Sequence, residues 1–199
     1  MNRYKVFGLL SLIILATVLV LTGTQILSES YDNHSGINYL NQSELSSINV
    51  TGAGVTVSQA TSTIYVNSSA DLPVMMGPMN SGSMYSFEIF GIVNPNIVMQ
   101  SGVTVQFTVV NVDSDAYHNF VLSNSGPPYS YYMDEMGMMN GYENGYGYMS
   151  MMPYLPPAGA DHYAYMNISY SFSSAGTYWY LCTYSGHAQN GMYGRITVT

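Results

Sequence analysis

Charge is what this 199-residue chain has least of: 7% of its residues are charged, and Lys plus Arg number 3 against 11 Asp plus Glu. Two of the bases, Arg3 and Lys5, stand at the N-terminus, so Arg195 is the one base of everything that follows. A chain so poor in cations has nothing with which to displace counterions from a phosphate backbone, which excludes nucleic acid as a partner. A fold with few ion pairs also loses little when acid protonates its carboxylates. An acidic medium is therefore the expected habitat, with Asn, Ser, Thr and Tyr keeping the surface soluble. Cysteine occurs once, at Cys182, so no intrachain disulfide can form. A free thiol in an exported chain needs a reason, and metal ligation supplies one. No stretch carries the periodicity of an amphipathic helix. The abundant residues are Tyr (20), Gly (19) and Met (15).

Along the chain, Val6 to Leu27 is mostly apolar and about as long as the ~20 residues a spanning helix needs. Its end, Thr22-Gly-Thr-Gln-Ile-Leu27, lacks the small-residue pattern of a cleavage site. Residues 1–27 are accordingly expected to be a retained membrane anchor, a cleaved signal segment being the competing reading. Arg3 and Lys5 would keep the N-terminus cytoplasmic and place the remainder outside. Residues 28–50 are polar, rich in Ser and Asn, and read as an extracytoplasmic tether in which His34 is solvated. Acceptor sequons stand at Asn33, Asn41, Asn49, Asn67 and Asn167, three of them in this tether.

From residue 51 onward the pattern is that of strands. Val55–Val57, Thr63–Val66, Tyr85–Phe90, Val103–Val109, Asn119–Leu122, Asn167–Ser173, Thr177–Cys182 and Arg195–Thr199 are short, β-branched or aromatic, and several alternate. With Gly, Pro and Asn between them they predict an all-β sandwich or barrel over 51–199. In Thr177–Cys182, Tyr178 and Tyr180 share a face with Cys182, and Trp179 takes the other. The stretch from about 126 to 159 interrupts the pattern. It holds Met133, Met136, Met138, Met139, Met149, Met151 and Met152 among Tyr and Gly. It reads as an apolar cover over one end of the domain, with a Met-rich cuprous-copper site as the alternative.

The chemistry concentrates at the C-terminus. Cys182 is followed five positions later by His187, and His187 five later by Met192, on a loop broken by Gly186, Gly191 and Gly194. Each alone would read as core. Together, a thiolate, an imidazole and a thioether on one short loop are the soft and borderline ligands that suit copper. The missing second imidazole is best supplied by His118, at the mouth of the apolar run Phe120–Leu122; His162, after Asp161 in a Pro/Gly loop, ranks below it. Two His, one Cys and an axial Met make a blue-copper electron-transfer site.

These residues resemble a known family. Ala175-Gly-Thr-Tyr-Trp-Tyr-Leu-Cys182, Ser185-Gly-His187-Ala and Gly191-Met192-Tyr-Gly-Arg-Ile are similar to the C-terminal copper loop of the rusticyanins, cupredoxins of acid-living iron oxidisers. Ser86-Phe-Glu-Ile, Asn94-Pro, Ser101-Gly-Val-Thr-Val, His118-Asn-Phe and Gly126-Pro-Pro-Tyr129 fall in the same order. The related sulfocyanins carry membrane anchors. The resemblance implies a Greek-key cupredoxin β-sandwich with one type 1 copper. His118, Cys182 and His187 would be its trigonal ligands and Met192 its axial one, inside a shell that includes Phe120, Tyr180, Tyr184 and Tyr193. It implies that electrons enter at His187. Asn119 stands where rusticyanins tend to have Ser, and in other cupredoxins such an Asn pins the Cys loop, which implies a lower potential. The expected function is a tethered electron carrier between redox proteins such as a cytochrome and a terminal oxidase. No small-molecule substrate is expected. Copper delivery through the Met-rich segment is the alternative, and a surface domain with a vestigial site a third reading.

Overall fold

A computed structural model describes residues 36–48, 52–78, 82–133 and 147–199. The expected anchor at 1–27, His34, and the sequons at Asn33 and Asn49 lie outside these residues. Among the described residues no helix is long and apolar enough to cross a membrane.

Two sheets form the domain. One contains β1 (Asn38–Leu40), β4 (Ala70–Met76), β5 (Phe87–Ile89), β6 (Ile92–Val93), β8 (Thr104–Asn111) and β11 (Tyr163–Ser171), in the order β1-β11-β8-β4-β5-β6. The other contains β2 (Val55–Ser58), β3 (Thr63–Val66), β7 (Asn96–Met99), β9 (Val121–Ser123), β10 (Tyr148–Met151), β12 (Gly176–Leu181) and β13 (Tyr193–Val198), in the order β10-β9-β12-β13-β7-β3-β2. Most pairs are antiparallel; β4–β8, β3–β7 and β7–β13 are parallel. Apolar faces of both sheets meet in one core. Leu72, Val74, Phe87 and Phe107 come from the first sheet, and Ile64, Ile97, Tyr180 and Ile196 from the second.

The alternation read from the sequence is realised. In β8, Val105, Phe107 and Val109 are fully buried while Thr104, Gln106 and Thr108 are half-buried. In β12, Tyr178 and Tyr180 pack into the core with Cys182, while Trp179 takes the far side, edge-on to Tyr193 at 6.0 Å. Phe87, Phe107, Phe120 and Tyr180 form an aromatic cluster with centroid separations of 4.9–5.6 Å. The Tyr180 hydroxyl donates to the Pro95 carbonyl at 2.7 Å, which satisfies the one polar atom this ring buries.

Three expectations need correction. Residues 38–48 are not tether: β1 pairs with β11, and helix α1 (Gln42–Ile48) follows it. Asn41 caps that helix, its side-chain oxygen accepting from the backbone N–H of Ser43 (2.9 Å) and Glu44 (3.0 Å), while Glu44 accepts from the Asn41 N–H at 2.8 Å. This is a capping box, and it accounts for a helix too short to show a period. Leu45 is buried against Met75 and Val110. Second, β4 was not among the expected strands; it carries Pro73, yet it lies between β8 and β5. β5 pairs only with Met75 and Met76, so at Pro73 the strand has a ladder on one side, where proline is tolerated. Third, the described part of 126–159 is more than a cover. β10 extends the second sheet, and Leu155 forms a bridge with His118. Met133 and Met152 are buried as packing residues. Met136, Met138 and Met139 lie outside the described residues.

Candidate metal centre

The loop between β12 and β13 carries three of the four candidate ligands. Cys182 follows β12 directly, and His187 and Met192 belong to the turn that returns the chain into β13. That turn is tightly bonded: His187 N–H donates to Tyr184 O (2.9 Å), Met192 N–H to His187 O (3.0 Å) and Cys182 N–H to Met192 O (3.1 Å). Gly186 has φ 79° and backs onto the Tyr131 ring, where an added Cβ would come within 2.8 Å. Gly191 has φ 104°, and its carbonyl accepts from Asn94 Nδ2 at 3.0 Å. Asn94 in turn accepts from the Phe87 N–H through its side-chain oxygen at 2.8 Å, which ties the loop to β5.

His118 comes from the segment between β8 and β9, so it is brought to Cys182 only by the fold. Its backbone is paired with Leu155, donating at 3.4 Å and accepting at 2.7 Å. Next to it, Asn119 joins this segment to the cysteine loop. Its Nδ2 donates to Thr183 Oγ1 at 2.9 Å and its Oδ1 accepts from the Thr183 N–H at 2.8 Å. The Asn119 N–H lies 3.5 Å from Cys182 Sγ. The pinning that the resemblance implied for Asn119 is therefore present.

His118, Cys182 and His187 are all buried and form the metal-competent cluster among the described residues. Both imidazoles turn Nδ1 inward. The three donor atoms form a triangle: Nδ1 to Nδ1 3.1 Å, Cys182 Sγ to His187 Nδ1 3.6 Å, and Cys182 Sγ to His118 Nδ1 3.9 Å. Around a metal ~2.0–2.1 Å from nitrogen and ~2.3 Å from sulfur, trigonal geometry separates donors by ~3.5–3.8 Å. The triangle fits such an ion with displacements of a few tenths of an ångström. Two imine nitrogens and a thiolate facing one another in a dry site are the donor set for copper. Met192 is fully buried in the same core cluster as Cys182.

The electrostatics agree. Burial first, and then the neighbouring His118, hold the His187 pKa down at about 4 against the opposing charge of Asp113. His118 is also lowered, again by burial, which outweighs the opposing hydrogen bond and charge of Asp113. Both rings are thus neutral at pH 7, the form that can ligate. The 3.0 Å contact between His118 Nε2 and Asp113 Oδ2 is accordingly a hydrogen bond from a neutral ring.

The other predicted residues fall as follows. Phe120 and Tyr180 are fully buried and stacked at 5.6 Å, in the core that contains Cys182. Tyr184 lies 4.7 Å from the His187 ring and is 38% exposed. Tyr193 does not belong to that inner group. It pairs with Leu181 across the ladder, and its ring packs on Tyr129 at 5.2 Å in a separate outer cluster. Strand alternation explains this, since Leu181 faces opposite to Tyr180 and Cys182. His162 is exposed, stacked on Tyr39 at 4.0 Å, and outside the cluster. Asn41 is occupied as a helix cap, Asn67 is an exposed turn residue, and Asn167 accepts from Thr108 Oγ1 at 2.9 Å on the outer face of β11. Sequence reasoning missed Asp113, Asn111 and Thr183. The available signal was the polar run Asn111-Val-Asp113-Ser-Asp115, unusual in a chain with so few carboxylates and just upstream of His118.

Comparisons with known proteins agree with this geometry. A sequence model of copper-binding proteins of the plastocyanin/azurin family matches residues 88–199. Rusticyanin of Acidithiobacillus ferrooxidans is 31% identical over 146 residues, covering 73% of this chain and 68% of that protein, and rusticyanin of Acidithiobacillus ferridurans matches to the same extent. Among solved structures, reduced rusticyanin superposes with a TM-score of 0.67 at 20% identity, covering 82% of this chain and 99% of that one. Rusticyanin from Thiobacillus ferrooxidans gives the same score at 22% identity, covering 82% and 97%. With its copper loop, its donor triangle and these relatives, the chain belongs to the plastocyanin/azurin family of copper-binding proteins, as a rusticyanin-like cupredoxin.

Proposed function

We propose that this protein is a blue-copper electron carrier that moves single electrons between redox proteins outside the cytoplasm. The observation that carries the reading is the buried triangle of His118 Nδ1, Cys182 Sγ and His187 Nδ1. Those three residues, with the buried Met192 thioether beside them in the core, would hold the ion. Copper bound there supplies a one-electron Cu(II)/Cu(I) couple. The residues do the rest. Asn119 and the Met192–Cys182 backbone bond fix the loop, so the donors keep their places in both oxidation states. Phe120 and Tyr180 exclude water, which favours the less charged cuprous form. His187 is buried but lies under the half-exposed Tyr184 ring, which makes this edge the route for electrons. Four protein ligands leave no position for a substrate, so the protein carries rather than catalyses.

A membrane anchor at 1–27, an acidic habitat, an iron- or sulfur-oxidising respiratory chain, and a cytochrome or terminal oxidase as partner belong to this proposal. The scarcity of cations and the apolar N-terminal run support them. Copper delivery through the Met-rich segment draws no support from Met133 and Met152, which serve as packing. The test is the visible spectrum of the Cu(II)-loaded protein beside Cys182→Ser. An intense thiolate-to-copper band in the parent and its loss in the variant are expected. A parent that binds copper without that band would overturn the reading.

A further inference from the structure

Asp113 lies five residues before His118, in the turn that leaves β8, and is 2% exposed. Everything around it is fixed. Its Oδ2 meets His118 Nε2 at 3.0 Å and its Oδ1 accepts from the Asp115 N–H at 2.8 Å. Its own N–H donates to Asn111 Oδ1 at 3.0 Å, and its carbonyl accepts from the Ala158 N–H at 2.7 Å. Gly77, with φ 101°, presses against it so closely that an added Cβ would lie 2.6 Å from the Asp113 Cβ. Asn111 holds the other side: its Nδ2 lies 3.0, 3.1 and 2.9 Å from the carbonyls of Ala116, Leu155 and Pro156. Leu155 is the residue whose backbone pairs with His118. One buried amide thus sets both the carboxylate and the strut that frame the histidine.

We propose that Asp113, held by Asn111, is the positioning and potential-setting residue of the copper site: it fixes the His118 proton on Nε2, aims Nδ1 at the donor triangle, and places an uncompensated negative charge behind that ligand. The proposal rests on the copper reading above. A neutral imidazole that donates from Nε2 to a carboxylate carries its lone pair on Nδ1, the atom that faces Cys182 and His187. Among the described residues the carboxylate forms no ion pair with Lys or Arg. Arg195 is the one base beyond residue 5, and it is engaged with Asn96 at 3.2 Å. A negative charge behind a ligand favours the cupric over the cuprous state, opposing the dry apolar shell. Asp113 is therefore what holds the potential down in a site otherwise built to raise it.

The test uses Asp113→Asn and Asp113→Leu at pH 7. Asparagine keeps an acceptor for His118 and gives up the charge and one bond within the turn; leucine removes charge and acceptor together. Asp113→Asn is expected to keep the blue band while the ratio of Cu(II) to Cu(I) affinity falls about tenfold, a rise of about 59 mV for a one-electron couple. Asp113→Leu is expected to lose about 10–100-fold in Cu(II) affinity. Nitrogen-15 NMR of the metal-free protein provides a readout that needs no copper. His118 is expected as the single Nε2–H tautomer in the parent and in Asp113→Asn, and as a mixture in Asp113→Leu. An unchanged potential in Asp113→Asn overturns the charge role. A parent without one fixed tautomer overturns the positioning role, and so does an Asp113→Leu variant that keeps both tautomer and affinity. If Asp113→Leu fails to fold, the parent tautomer and the Asp113→Asn potential still decide. A parent with no blue band but a fixed Nε2–H tautomer would overturn the copper reading and leave the positioning intact.

Discussion

Asn119 shows how a single residue can tie two distant parts of a chain into one site. It sits next to one candidate ligand, and both ends of its side chain engage Thr183, which follows another, across 64 residues of sequence. Asn119→Ala would leave the buried Thr183 N–H and hydroxyl without these partners. A lost hydrogen bond is worth about 1 kcal/mol, and an unsatisfied buried group adds its own penalty, so the variant is expected to be about 2–3 kcal/mol less stable. Urea unfolding of the metal-free protein measures this, and a midpoint equal to the parent's would show that water replaces the amide. Asn119→Ser, which retains a hydroxyl, is expected to fall between the two.

At the scale of elements, the N-terminal β1–α1 unit belongs to the fold. Gln42 N–H donates to Asp161 Oδ1 at 2.6 Å, Tyr163 donates to Gln42 Oε1 at 2.6 Å, and Leu45 fills a small cluster with Met75 and Val110. Leu45→Ala is expected to lower stability by about 2–3 kcal/mol, the low end for a buried leucine, and to leave the copper spectrum unchanged, because this cluster is separate from the one containing Cys182. A shifted visible band in that variant would contradict the separation. The same elements show what a sequence can display. β8 and β11 are legible because each alternates between a face turned to the core and a wetter one, and period-two alternation records that. β4 is hidden because Pro73 signals a break, and only the limited reach of β5 makes the proline acceptable. α1 is hidden because seven residues hold no period, although Asn41-Gln-Ser-Glu44 spells its cap. Cys182, His187 and Met192 are legible as one contiguous loop; Asp113 is not, because its role depends on β8 and the Leu155 strut meeting beside His118.

Across the whole molecule, scarcity of charge becomes a statement about acid. Among the described residues the contact between His118 and Asp113 is the one with ion-pair geometry, and burial keeps that histidine neutral. Acid therefore has few favourable pairs to break, and its grip on the metal-free fold is through the imidazoles. His187 titrates at about 4 in the fold, held down first by burial and then by His118, against an ordinary value of 6.5. Between those values the unfolded chain binds the proton and the folded chain does not, so stability rises with pH there. The contribution is intact above pH 6.5, is lost progressively as pH falls toward 4, and changes no further below that. At ~1.36 kcal/mol per pKa unit it amounts to about 3 kcal/mol at most. His118, lowered in the same direction, adds to the slope. Copper on both Nδ1 atoms would keep protons off the folded chain at every pH, while the unfolded chain still takes them up below about 6.5. Urea midpoints followed from pH 7 to pH 4 are therefore expected to fall in the metal-free protein, and at least as steeply in the copper-loaded one. A level midpoint in the metal-free protein would mean that the fold does not hold these imidazoles neutral.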